Sequence, residues 1–150
     1  MNLSEQQIII LLVEDSHDDV FFFHRAVQRT GLRALTFVAA DGVEALDYLL
    51  NKGRFADAAA YPRPDIIFLD LKLPHYNGFE VLEWMQQHLD FPRTPVVVLT
   101  SSNQAEDQAR AEALGATLYL MKPPSPEQLR QALQKYTPAR PETISRKSEI

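Results

Sequence analysis

Glu14 and Asp15, Asp70, Thr100 and Lys122 each stand where an apolar run ends. The runs are 8–13, 66–69, 96–99 and 116–121. If these runs lie side by side, three carboxylates, a hydroxyl and an ammonium group share one cleft. Carboxylates that converge repel one another, and without compensation at least one pKa must rise. A hard divalent cation relieves this. Mg²⁺ takes oxygen ligands, keeps several waters, and suits one or two carboxylates together with a phosphate. Asp15 and Asp70 are the natural direct ligands. Glu14 would act directly or through water, and backbone carbonyls after Asp70 could complete the shell. Lys122 and Thr100 offer a phosphoryl oxygen a point charge and a hydroxyl donor. Phosphoryl transfer asks mainly for positioning and charge neutralisation. One carboxylate is then left as a nucleophile, and Asp70 is the best placed. Each residue also has a plainer reading. Asp70 could cap a turn, Thr100 could close a strand end, and Lys122 could be a surface lysine. Their joint position favours the chemistry.

The elements that must position them follow from hydrophobic pattern. Unbroken apolar runs at 8–13, 66–69 (within a strand over 65–70) and 96–99 read as strands buried on both faces. The run 35–39 alternates, as a half-buried edge strand does, and 116–121 is a fifth strand. Helices are expected from a cap at Ser16 or Asp18 to Arg29, and over 43–52, 77–88, 104–114 and 126–136. Val43, Leu46, Leu49 and Leu50 are expected to form the inner face of the second helix. Ala105, Ala109 and Ala113 are the low-bulk repeat of the fourth, and Phe79, Leu82, Met85 and Leu89 form the stripe of the third. Segments 53–64 and 90–95 read as loop and connector. Strands alternating with helices predict an α/β fold: a doubly wound, five-stranded parallel sheet with right-handed crossovers. Such sheets bind ligands at the carboxyl ends of their strands, the rim where Glu14, Asp15, Asp70, Thr100 and Lys122 collect.

Composition sets the frame. The chain has 150 residues, 45% hydrophobic and 23% charged, with net charge -5 and no cysteine. That predicts one domain over 8–136, a polar lead-in at 1–7 and a tail at 137–150. No disulfide, thiolate metal site or thiol chemistry is available. The acidic balance argues against nucleic acid. No apolar run nears the roughly 20 residues of a membrane span, so a cytoplasmic protein is expected.

In order along these strands lie Val13-Glu14-Asp15, Leu69-Asp70 with Pro74 and Gly78, Leu99-Thr100-Ser101, and Tyr119 with Leu120-Met121-Lys122-Pro123. With these parts the chain, over 8–136, resembles the CheY-like receiver domain of two-component response regulators. The Val-Glu-Asp opening and the long loop at 53–64 are similar to single-domain receivers that partner phytochromes. The resemblance implies strand order 2-1-3-4-5. It implies that Asp70 accepts a phosphoryl group from a histidine kinase, a phytochrome among the candidates, or from a phosphotransfer protein. It further implies that Glu14, Asp15, Asp70 and the main-chain carbonyl of Lys72 hold Mg²⁺. Lys122 would pair with the acceptor and then with the phosphoryl group. Thr100 would bond a phosphoryl oxygen, and Tyr119 would turn inward as Thr100 moves. The Lys122-Pro123 bond would be cis. Phosphorylation would then be reported to a downstream protein through the face of the fourth helix, fifth strand and fifth helix.

Three residues depart from the family pattern. Lys72 brings a positive side chain to the cleft mouth, Ser101 is larger than the usual Ala or Gly, and Pro124 makes a double proline. Lys72 also argues against the rival reading, a haloacid-dehalogenase-type phosphatase, which needs an acid two residues after its nucleophile. A pseudo-receiver and a flavodoxin-like cofactor binder are the binding-module alternatives; the first lacks no key residue here, and the second would face an acidic loop. His17, His24, His75 and His88 show no metal-ligand spacing. Phe21-Phe22-Phe23 cannot all face the sheet, since successive helical residues lie about 100° apart. With Phe22 and Phe23 inward, Phe21 points out, either as an idle surface ring or as a contact for the kinase. The tail at 137–150 reads as mobile or as an arm on a second copy in a homodimer.

Overall fold

The computed structural model describes residues 6–88 and 94–137. Strands β1 (Ile8–Val13), β2 (Ala34–Ala39), β3 (Ile66–Leu69), β4 (Val96–Thr100) and β5 (Leu118–Met121) alternate with helices α1 (His17–Arg29), α2 (Gly42–Leu50), α3 (Gly78–Gln87), α4 (Ala105–Ala113) and α5 (Pro126–Tyr136). The strands are parallel in the order β2-β1-β3-β4-β5, as expected.

The continuous apolar strands serve two cores. Side chains alternate across a strand, so Leu11, Val13, Ile67, Leu69, Val96 and Val98 face one side with α2, α3 and α4. Ile8, Ile10, Leu12, Phe68, Val97 and Leu99 face the other with α1 and α5. On that side the Phe23 ring meets Phe68 edge-on at 5.0 Å.

The helix ends obey their local chemistry. Ser16, not Asp18, caps α1 by accepting from the Asp19 N–H at 3.2 Å. Asp41 caps α2 through the Glu44 N–H. Asn77 with Glu80, and Ser125 with Gln128, form reciprocal capping boxes on α3 and α5. Pro126 opens α5, and the double proline does not disturb its start; Pro124 itself is buried.

Several helix faces differ from expectation. Phe22 is exposed like Phe21, at 52% and 55%, and only Phe23 is buried. Phe23, Ala26 and Val27, at i, i+3 and i+4, form the stripe that meets the sheet, and Phe22 lies off it. In α2 the buried face is Gly42, Ala45, Tyr48 and Leu49, while Val43 and Leu50 are exposed. The Tyr48 ring sets this azimuth. It packs with Phe37, Phe55 and Tyr61, and its hydroxyl donates to the Pro62 carbonyl at 2.7 Å. The 53–64 segment is thereby a tethered loop with a short 3-10 turn at Gly53–Phe55. Asn51, in the left-handed conformation, ends α2 ahead of Gly53 and holds the loop through the Phe55 and Tyr61 carbonyls. In α4 the buried alanine is Ala111; Ala105, Ala109 and Ala113 face outward. Leu89, most of the 90–95 connector, the tail beyond Thr137 and the first five residues lie outside the described residues. No helix among the described residues is long and apolar enough to cross a membrane.

Candidate functional site

The rim forms where strand ends are tied together by backbone bonds. The Asp70 N–H donates to the Val13 carbonyl at 3.1 Å, bringing the end of β3 beside the acid pair. The Lys122 N–H donates to the Thr100 carbonyl at 2.9 Å, closing β5 on β4. After Asp70 the chain is pinned by buried Leu71 and Leu73. The Gly78 N–H at the start of α3 donates to the Leu71 carbonyl at 3.1 Å.

Glu14, Asp15 and Asp70 each offer a carboxylate oxygen, all within 4.8 Å of one another. Glu14 and Asp70 are buried, whereas Asp15 is exposed. An all-oxygen donor set with one open side fits a hard divalent cation. The Lys72 N–H donates to Asp70 Oδ1 at 3.0 Å, and its side chain is exposed.

Lys122 ties the acids together. Its Nζ stands 2.7 Å from Glu14 Oε1, 2.8 Å from Asp70 Oδ2 and 2.9 Å from Asp19 Oδ2. Burial works to lower the Lys122 pKa, but its bonds to Asp70, Glu14 and Asp19 outweigh that and raise it. The ammonium is charged throughout the physiological range. Burial pushes the Glu14 pKa up to about 6, against the bond from Lys122, and the Asp70 charge adds to the rise. Burial, more than the repulsion between converging acids, is what raises it. Asp19 was not among the residues singled out by sequence. Its only sequence signal is its place one helical turn beyond the acid pair, on the same rim.

Thr100 is fully buried at the end of β4, and its Oγ1 accepts from the Ser102 N–H at 3.4 Å. Tyr119 is partly buried against the core, and its hydroxyl donates to the Ser102 carbonyl at 2.9 Å. Ser102 Oγ in turn donates to Asp107 in the first turn of α4 at 2.7 Å. Ser101, larger than the usual Ala or Gly, is exposed; the buried serine is Ser102. The extended backbone at a strand end sends neighbours to opposite sides, which no composition rule reveals. The Lys122-Pro123 peptide is cis. Phe21 lies on the exposed side of α1 with Arg25 over its ring.

A family model described as "Response regulator receiver domain" matches residues 10–134. The chain belongs to the response regulator receiver family. Members take phosphoryl groups from histidine kinases in two-component signalling, and this receiver is a signalling domain of that kind. It is 36% identical over 114 residues to response regulator Rcp1 of Synechocystis sp. (strain ATCC 27184 / PCC 6803 / Kazusa), covering 76% of each chain. The crystal structure of the Mn²⁺-bound form of Rcp1 superposes with TM-score 0.75 at 30% identity, covering 89% of this receiver and 97% of that chain. The bacteriophytochrome response regulator AtBRR superposes with TM-score 0.78 at 34% identity, covering 91% and 97%. A divalent-metal site is thus a feature of a relative, and the acidic cluster Glu14, Asp15 and Asp70 suits one here.

Proposed function

We propose that Asp70 is the phosphoacceptor of this receiver and that its kinase is a phytochrome-type histidine kinase. The observation that carries the first part is the Lys122 ammonium, bonded at 2.8 Å to an Asp70 carboxylate inside the acidic cluster. No other described cation occupies a comparable position against a rim carboxylate. The second part rests on likeness to AtBRR, a bacteriophytochrome response regulator.

In the reaction, an Asp70 oxygen attacks phosphorus of the donor phosphohistidine. An O–P bond forms, the P–N bond breaks, and its electron pair returns to the imidazole nitrogen. Glu14, Asp15, Asp70 and the main-chain carbonyl of Lys72 would hold Mg²⁺. The cation supplies charge neutralisation for the phosphoryl group. Lys122 provides a positive charge that follows the phosphoryl oxygens, and the Thr100 hydroxyl donates to one of them. As Thr100 moves to make that bond, Tyr119 turns inward into the space it leaves, and the face of α4, β5 and α5 carries the change to a downstream protein. Attack of water on phosphorus later breaks the O–P bond, releasing inorganic phosphate and restoring the Asp70 carboxylate.

The test is incubation with acetyl phosphate and Mg²⁺, followed by intact-protein mass spectrometry. The expected result is a gain of one phosphate that disappears in Asp70→Asn. No gain, or an equal gain in the variant, removes the proposal. For the partner, phosphoryl transfer from a purified phytochrome kinase should outpace transfer from an unrelated histidine kinase.

A further inference from the structure

An ammonium group has three N–H donors, and Lys122 faces three carboxylates, Glu14, Asp70 and Asp19. Two of them, Glu14 and Asp70, belong to the cluster suited to a cation. Asp19 does not. It comes from the first turn of α1, 103 residues from Lys122 in sequence. Its side chain is 40% exposed, whereas that of Lys122 is 13% exposed. Asp19 is therefore the one partner of Lys122 that neither a cation nor the phosphoryl group would claim.

We infer that Asp19 is a positioning residue that tethers the Lys122 ammonium on the α1 side of the rim and so slows phosphoryl gain at Asp70. The inference rests on Asp70 being the phosphoacceptor. Charge builds on the phosphoryl oxygens during transfer, and stabilisation there depends on positive charge free to meet it. An ammonium partly neutralised by Asp19 offers less, and must stretch away from that carboxylate to follow the new oxygens. The pair is partly open to solvent, so its effect is moderate.

The backbone contribution of Asp19 is separable from its charge. Its N–H donates to the Ser16 cap, a bond that Asp19→Asn retains. Asp18, its neighbour, lies in the same first turn and has no bond to Lys122 among the described residues. Initial rates of phosphoryl gain from acetyl phosphate with Mg²⁺ would be measured by intact mass for the wild type, Asp19→Asn, Asp19→Glu and Asp18→Asn. Asp19→Asn should label about three- to fivefold faster, the size of effect a partly exposed ion pair supports. Asp19→Glu, which keeps the carboxylate, should hold the wild-type rate. Asp18→Asn should also hold it, which separates a tether on Lys122 from a general loss of negative charge. If Asp19→Asn is no faster while Asp70 still labels, or if Asp18→Asn accelerates equally, the inference fails and the functional reading stands. If the wild type takes no label on Asp70, the functional reading fails and the inference falls with it.

Discussion

Gly78 occupies a position where one added carbon should disturb both stability and the acceptor. It is the first residue of α3, and its N–H donates to the Leu71 carbonyl at 3.1 Å. A Cβ at Gly78 would stand 2.7 Å from Leu71 Cα and 3.1 Å from the Asp70 carbonyl carbon, with the Asp70 carbonyl oxygen closer still. All of these are backbone atoms, which cannot rotate out of the way as a side chain can. Gly78→Ala must push α3 away from the Asp70 loop. Overpacking costs typically about 1–3 kcal/mol. The better helix propensity of alanine returns at most about 1 kcal/mol, leaving a net loss of roughly 1–2 kcal/mol. With a urea slope of about 2 kcal/mol/M, the unfolding midpoint should fall by about 0.5–1 M at unchanged slope. The same displacement moves the Asp70 carboxylate relative to Lys122, so acetyl phosphate labelling should slow beyond any loss of folded protein. A midpoint within about 0.2 M of wild type, together with normal labelling, would refute the close approach of α3 to the acceptor.

Further outcomes follow from the same geometry. Phe23→Ala should cost about 3–5 kcal/mol because it empties a buried ring site against Phe68. Phe22→Ser should stay within about 0.5 kcal/mol, and urea unfolding of both variants checks the outward position of Phe22. Tyr48→Phe removes the hydroxyl that holds the Pro62 carbonyl, and should lower stability by about 1 kcal/mol and speed proteolysis within 53–64. The Glu14 carboxyl has a folded pKa of about 6 against an ordinary 4.5. The folded protein therefore binds its proton more tightly than the unfolded chain. In metal-free protein its destabilising effect is absent below 4.5 and grows as pH rises through about 6. Melting temperatures of wild type and Glu14→Gln should diverge across that window, with wild type losing ground as pH increases. Mg²⁺ binding in the same window should release protons, measurable by calorimetry in buffers of different ionisation enthalpy.

The readable and unreadable parts of the molecule divide along a physical line. Strand runs were legible because burial on both faces demands unbroken apolar residues, and runs such as 8–13 and 66–69 have few alternatives. The rim was legible because each run ends in a polar residue, and a parallel sheet places all such ends together. Capping was legible at Ser16, one of the two residues the sequence offered for α1, where a side-chain oxygen serves an orphan N–H group. Helix azimuth was less so. Val43, Leu46, Leu49 and Leu50 make a plausible stripe, but Tyr48 and its aromatic partners turn α2 by about one residue. Three successive phenylalanines gave no clue that Phe23 alone would be inside.

By itself, then, the order of apolar and polar residues determined the sheet, the ends of its strands and the acids and ammonium that gather there. That follows because strand burial and the parallel crossover are nearly local consequences of pattern. Only the tertiary structure decided that Lys122 would bond Asp19 as well as Asp70 and Glu14, and that Ser102, not Ser101, would lie buried between Thr100, Tyr119 and Asp107. Such contacts join groups far apart in sequence through distances of about 3 Å, and their geometry depends on how each helix is rotated and seated.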